Sequence, residues 1–422
     1  MMSVKKKLII FFSYLILIIY SLEFLSLIFL KKKINLNEIS IDKIRNEKTQ
    51  SIENFDRRKD FYAFSEEKKK NNQISPSFKF STEVLYLSDF EGKIKKFIDY
   101  KINLDEKIPF RGPLNRPSLS QNEAGKREII VNDKYGFKNK NEIYNKNIDI
   151  MILGDSFAEG LPFNNSDDIA GRIIAKSRYN AANFGVNGTG PFISLAITKE
   201  YASRIKPKNV FYLFYEGNDL RDMMYEEKTF LKKYLNDDFS QNLFESNDSV
   251  SEFLKEYESI FYEILPSKIK NEKIKNDNLI IEKIPFKEKV KDFLELNTLK
   301  ELLLKSSVFY KKKHNVDYKY FDEIILKMNK EIKKWDGNFY FVYLPSWTRY
   351  NNKYSVANYF QKSKIKKIVE NKKIVFVDID NYFKSKNVDN LDIFIFGIYG
   401  HYTKRGYELI AEKFISIVSN KP

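Results

Sequence analysis

Apolar runs recur along the chain and stop at glycine or small polar residues. Ile148 to Leu153, apolar except at Asp149, runs into Gly154; Val210 to Tyr215 runs into Glu216-Gly217-Asn218; Phe339 to Leu344 ends at Pro345; and Ile374 to Val377 ends at Asp378. A shorter strand-like start precedes Gly185-Val186-Asn187-Gly188-Thr189-Gly190. Between these runs, Asp168 to Arg178, Pro191 to Ile205 and the stretch around Lys364 to Asn371 read as helices. Apolar strands alternating with helices predict βαβ units, and hence a parallel sheet covered by helices on both faces.

The ends of the chain have a different pattern. Leu8 to Leu30 is an apolar run of about 23 residues broken only by Ser13, Ser21, Glu23 and Ser26, which is long enough to span a bilayer. No small-x-small cleavage site follows it, so residues 1–33 read as an uncleaved signal anchor. Lys5 to Lys7 and Lys31 to Lys33 flank the run, and the positive-inside rule does not choose a side. Residues 34–127 read as a charged stalk followed, from about Phe80, by a partly ordered collar carrying Pro109, Pro113 and Pro117. The strand-helix alternation occupies 128–420, with a lysine-rich helical insertion at about 221–336 that is far longer than an ordinary connection. In that insertion Phe253, Leu254, Tyr257, Ile260, Phe261 and Ile264 recur at helical spacing, as do Phe293, Leu296, Leu299 and Leu303. Such stripes are packing faces, and the insertion is expected to be a lid or substrate-side subdomain.

Candidate chemistry sits where the strands end. Gly154-Asp155-Ser156 places a hydroxyl at the carboxyl end of an apolar run, the edge at which open α/β sheets bind ligands. Gly154 permits a sharp turn there and Asp155 can tie the loop to its own backbone. Gly188 and Asn218 follow later runs in the same way, and His401 precedes a helical pattern through Leu409, Ile410, Phe414 and Ile417. The chain has two histidines; His314 lies in a lysine-rich stretch that reads as solvated surface, leaving His401 as the base.

This order of serine, glycine, asparagine and histidine resembles the SGNH, or GDSL-type, hydrolase superfamily, over roughly Asn132 to Val418. The segment Asn132 to Asn139 also looks like the lead-in of bacterial members. The resemblance implies a flavodoxin-like three-layer αβα sandwich with a five-stranded parallel sheet. It implies Ser156 as nucleophile, His401 as general base and then acid, and an oxyanion hole made by the N–H groups of Ser156 and Gly188 and the side-chain amide of Asn218. Members of the group usually carry an Asp three residues before the histidine, where this chain has Ile398. Either a backbone carbonyl near Ile398 orients the imidazole in a Ser-His dyad or another carboxylate does. Asp392 is the nearest upstream candidate, with Asp378 and Asp380 as others.

Three functions follow from the resemblance. The first is a serine esterase acting on O-acyl groups of a carbohydrate or lipid, needing no metal or organic cofactor. The second is an O-acyltransferase with an envelope glycan as acceptor, and the third is a non-catalytic glycan- or partner-binding module, motivated by Ile398. Likeness to envelope-facing members places the N-terminus in the cytoplasm and the bulk of the chain outside the inner membrane.

Composition changes this picture at two points. The 73 Lys+Arg against 57 Asp+Glu give a net charge of +16, yet the lysines are dispersed among asparagines and isoleucines and no nucleic-acid module is present, so a nucleic-acid partner is not expected. The absence of cysteine excludes disulfides, a cysteine nucleophile and thiolate metal sites.

Overall fold

The computed structural model describes residues 4–26, 49–50, 52–81, 84, 92–277, 293–296, 318–350, 355–389 and 391–420. His314, Leu299 and Leu303 lie outside the described residues. The chain divides into two compact units, Met1–Ser51 with Ile274–Asn315, and Ile52–Lys273 with Val316–Pro422.

The larger unit is built on a five-stranded sheet. A two-stranded antiparallel ribbon comes first in the chain, β1 (Ser118–Leu119) with β2 (Ile129–Ile130). The sheet strands are β3 (Ile150–Gly154), β4 (Ala181–Gly185), β5 (Asn209–Tyr215), β6 (Asn338–Leu344) and β7 (Val375–Asp378). Their order is β4-β3-β5-β6-β7 and every pairing is parallel. The chain leaves β3 for one neighbour, β4, and then crosses back to the other, β5. The carboxyl ends therefore splay at β3, which is where a crevice forms in such sheets.

Both faces are largely dry because the strands carry apolar side chains at most positions, and alternate residues feed opposite cores. Met151, Leu153, Tyr212, Phe214, Phe341 and Tyr343 pack on one side with the helices Pro191–Ile197 and Tyr318–Lys333. Ile150, Ile152, Phe211, Leu213, Tyr340 and Val342 pack on the other with Ile169–Lys176 and Lys404–Ser419. The result is a helix-sheet-helix sandwich. The helix expected over Pro191 to Ile205 is there, but it passes through a π-turn at Thr198–Ala202.

Parts of both the stretch read as stalk and the collar pack against this sandwich. Phe64, Phe78, Phe80, Phe97 and Phe110 are buried in the same cluster as the Met151 face of the sheet. The first stripe of the insertion meets them from the helix Asn247–Asp277: Phe253 and Tyr257 lie edge-on to Phe78 at 5.4 and 5.1 Å. Burial of that stripe is the reason the insertion has helical spacing.

In the smaller unit Val4–Ser26 forms a helix of 23 residues whose apolar side chains, Phe11, Tyr14 and Leu17 among them, are exposed. Among the described residues no helix is long and apolar enough to cross a membrane. The transmembrane part of the expected architecture has no support in the fold. Residues 27–30 of the apolar run lie outside the described residues.

Candidate active site

Ser156 opens the four-residue helix Ser156–Glu159 directly after β3, and the turn depends on Gly154. Gly154 has φ +141°, and a Cβ there would lie 2.5 Å from the carbonyl oxygen of Leu213 on the neighbouring strand. Asp155 caps the helix by accepting the N–H of Phe157 at 2.9 Å. Across the β3–β4 register, Gly154 faces Gly185. A Cβ on Gly185 would come within 2.1 Å of the Glu159 nitrogen, so β4 can end against the serine helix only as glycine.

His401 arrives from the far end of the chain. It follows the turn Ile395–Gly397, in which Phe396 adopts φ +58°, and precedes Tyr402, whose hydroxyl donates to the Pro345 carbonyl at 2.6 Å. Thr403 then caps the helix Lys404–Ser419. These anchors bring His401 Nε2 to 2.7 Å from Ser156 Oγ.

The carboxylate on the other ring nitrogen belongs to Glu123. Glu123 Oε1 accepts the backbone N–H of His401 at 2.7 Å, and Oε2 pairs with His401 Nδ1. Glu123 lies in the loop between β1 and β2, held by Asn122, which accepts the N–H of Gly125 at 2.8 Å. Arg127 donates to the Arg58 carbonyl at 2.9 Å, tying the base of the same loop to the collar. No spacing rule links Glu123 to His401, and nothing in the sequence around it marks it out.

The carboxylate on the His401 ring is thus none of the aspartates considered from sequence. Asp392 contributes its carbonyl to Thr403 Oγ1 at 3.4 Å and its N–H to Asp389. Asp378 caps the helix Ile379–Ser385, and Asp380 pairs with Lys362 and Lys384 at 2.9 and 3.0 Å. Ile398, at the position where the family usually has the acid, is buried.

The glycine and asparagine blocks close around the serine. Gly188 has φ +69°, and its loop is tied to the serine helix by the N–H of Asn187 donating to Glu159 Oε2 at 3.0 Å. Asn218 ends the turn after β5 at the start of the helix Asp219–Glu226, its Nδ2 donating to Asp222 Oδ2 at 2.7 Å. Ser156, Gly188, Asn218 and His401 are thus gathered at the carboxyl ends of β3, β4 and β5.

No family model matches the sequence, and no curated protein matches it significantly. Among solved structures the chain is similar to a G-D-S-L family lipolytic protein from Desulfitobacterium hafniense DCB-2, with 13% identity and a TM-score of 0.31 over 64% of this chain and 98% of that one. It is also similar to a G-D-S-L family protein from Veillonella parvula DSM 2008, at 10% identity and TM-score 0.34 over 64% and 98% of the two chains. An acetyl xylan esterase matches over 64% of this chain and 99% of its own length, at 10% identity and TM-score 0.33. Likeness at these identities concerns fold alone.

Within this site the electrostatics follow from burial and from a few charges. Burial disfavours the imidazolium of His401, but the Glu123 carboxylate outweighs it and raises the pKa above the ordinary histidine value. Burial pushes Asp155 up to about 7, against the pull of the Phe157 N–H and His401. Glu159 is buried too, yet Arg111 at 2.7 Å and nearby Lys138 hold its carboxyl below the usual range. Among the described residues no group of three or more His, Cys, Asp or Glu side chains is arranged to hold a metal ion.

Proposed function

We propose that the chain is a serine esterase that cleaves acyl esters through an acyl-enzyme. The reading is carried by one observation: Ser156 Oγ lies 2.7 Å from His401 Nε2 while the opposite ring nitrogen is held by Glu123. A hydroxyl is a poor nucleophile until a base takes its proton, and a histidine serves as that base only in the tautomer that leaves Nε2 bare. Glu123, by accepting from Nδ1–H, selects that tautomer and stabilises the imidazolium formed next.

In this reading Ser156 Oγ bonds to the acyl carbon as its proton passes to His401 Nε2. The carbonyl oxygen gathers the negative charge and is met by the Ser156 and Gly188 N–H groups and by Asn218 Nδ2. His401 returns the proton to the departing alkoxide, and the ester C–O bond breaks to leave acyl-Ser156. Water, deprotonated by His401, then attacks the acyl carbon and releases the acid. The substrates are O-acyl groups of a carbohydrate or lipid. Glu123 meets the lack of an Asp at Ile398, which was the ground for a non-catalytic module on this fold.

The same proposal puts the chain at the inner membrane, attached through the apolar run Leu8 to Leu30, with the sandwich outside the cytoplasm. Membrane fractionation of the full chain against one lacking residues 1–33 tests this; equal recovery in the soluble fraction would remove it. The chemistry is tested by labelling the full chain with a fluorophosphonate probe beside Ser156→Ala and His401→Ala. Labelling that needs both residues is expected, and an unlabelled wild-type chain, shown folded by circular dichroism, would overturn the reading.

A further inference from the structure

One short segment touches both of the loops that meet in the Glu123–His401 pair. It comprises residues 55–58, within the stretch that reads as stalk in the sequence. On the Glu123 side the contacts are polar. The N–H of Asp56 donates to the Gly125 carbonyl at 2.8 Å, and Asn122 donates from Nδ2 to the Asp56 carbonyl. The loop is therefore fixed to Asp56 just before and just after Glu123. Arg127, 6% exposed, closes the end of the loop on the same segment. It pairs with Asp56 at 3.5 Å and Asp60 at 2.8 Å, and donates to the Arg58 carbonyl at 2.9 Å.

On the His401 side the contact is apolar. The Phe55 ring lies 6.2 Å from the ring of Phe396, centroid to centroid, and it also presses on the Glu123 loop, where a Cβ on Gly125 would come within 2.9 Å of Phe55 Cδ2. Phe55 thus bridges that loop and the turn Ile395–Gly397 that leads to His401. Phe396 in this turn has φ +58°, a conformation that bulky side chains avoid and that packing has to maintain. The segment is itself anchored. Asp56 accepts the backbone N–H of Arg58 at 3.0 Å and the Arg58 guanidinium at 2.7 Å. The helix Asp60–Lys70 that follows gives the N–H groups of Phe61 and Tyr62 to Glu272 at 3.1 Å each.

We infer that Phe55 and Asp56 are positioning residues that clamp the Glu123 loop against the His401 turn, so that the carboxylate meets Nδ1 only while this segment is docked. Neither is a catalytic residue; each acts through Glu123. The ribbon that carries Glu123 is too slight to hold the acid alone. It is two residue pairs long, and an isolated two-stranded ribbon is at best marginally stable in water. The inference rests on the esterase reading for its effect on rate, though not for the contact between Glu123 and the imidazole.

His401 reports the clamp without any turnover. Burial lowers its pKa and Glu123 raises it; Asp155 and Glu159 also raise it, but they belong to the serine helix and its cap, away from the clamp. The test is an NMR titration of the full chain carrying isotope-labelled histidine. The chain has two histidines, and His314→Gln assigns them. Phe55→Ala and, by a separate route, Asp56→Ala should each lower the His401 midpoint by about one pH unit, the scale of losing an opposite charge at contact. Phe55→Tyr, which keeps the ring, should leave the midpoint in place. In Glu123→Gln the midpoint falls already, and adding Phe55→Ala should move it no further. Circular dichroism checks folding; Phe55 and Asp56 are both partly exposed, and if one variant unfolds the other decides. A folded alanine variant with the wild-type midpoint, or a second fall on top of Glu123→Gln, would overturn the inference. Fluorophosphonate labelling of the alanine variants should slow by about 100-fold, the usual cost of misplacing a reacting group by about 1 Å. The expected midpoints in a chain whose wild type takes no label would keep the clamp and remove the esterase reading.

Discussion

Glu123 and His401 lie 278 residues apart and are joined by both oxygens of one carboxylate, Oε1 on the backbone N–H and Oε2 on ring Nδ1. The arrangement fixes the imidazole in position and in tautomer together, which a contact to the ring alone does not do. It also makes the collar part of the site, since the loop between β1 and β2 supplies the acid.

Replacing Glu123 with Gln therefore has two separable effects. The carboxylate favours imidazolium, so it raises the His401 pKa and sets the acid limb of kcat/KM above the ordinary histidine range. Removing that charge should move the limb to lower pH. Loss of the tautomer lock should also lower the maximum by about 100-fold or more, in line with other triad acids. A kcat/KM profile over pH 5 to 8 checks both, and a limb that stayed in place would show that Glu123 does not face the working base.

Asn218→Ala removes one donor to the developing oxyanion while leaving the Ser156–His401 pair intact. The expected result is a fall in kcat of about 100-fold with KM little changed, because the donor acts in the transition state and not on the bound ester. Steady-state kinetics separates the two terms. A rise in KM at constant kcat would assign Asn218 to ground-state binding.

Gly185→Ala tests the contact that seats the nucleophile. Its Cβ would stand 2.1 Å from the Glu159 nitrogen and 2.6 Å from the Ala158 carbonyl carbon, both backbone atoms that cannot swing aside. The serine helix must shift, and displacement of a reacting group by about 1 Å costs on the order of 100-fold in rate. The measurement is the rate of fluorophosphonate labelling, with thermal melting to follow the strain; a rate equal to wild type would mean that the helix is free to move without penalty.

The sheet and the strand-end turns that carry Ser156, Gly188 and Asn218 were legible in the sequence because each follows from short-range pattern. An unbroken apolar run declares a strand covered on both faces, and the glycine or small polar residue after it declares where the chain turns into the crevice. The acid was not legible, for the opposite reason. Glu123 reaches His401 through a ribbon of two-residue strands and a collar held by side-chain contacts such as Arg58 with Asp56 at 2.7 Å, none of which leaves a period in the sequence. Residues 34 to about 79 read as a stalk because of their charge, whereas Phe64 and Phe78 within them are buried and meet Phe261, Phe253 and Tyr257 of the distant helix Asn247–Asp277. Ile398 showed that an acid was missing from its usual place but carried no information on where a substitute would come from.

Lys138 offers a test of stability apart from chemistry. Its ammonium is fully buried and donates to the carbonyls of Glu159 and Phe163 at 2.9 and 2.7 Å, beside Asp168 at 3.4 Å. Burial lowers its pKa, and Asp168 and Glu159 act in the opposite direction. Lys138→Met keeps the length of the chain but leaves the carbonyls and the Asp168 carboxylate without their cation. Removing one partner of a buried pair costs about 3 to 5 kcal/mol, more than the apolar stem can recover. Urea unfolding should show the unfolding free energy falling by that amount through a lower midpoint, with little change in slope. Because the carbonyls it holds lie at the end of the serine helix, fluorophosphonate labelling of the folded variant should also slow. A variant as stable as wild type would mean that Asp168 takes up a proton and that the ion pair contributes no net stability to the fold.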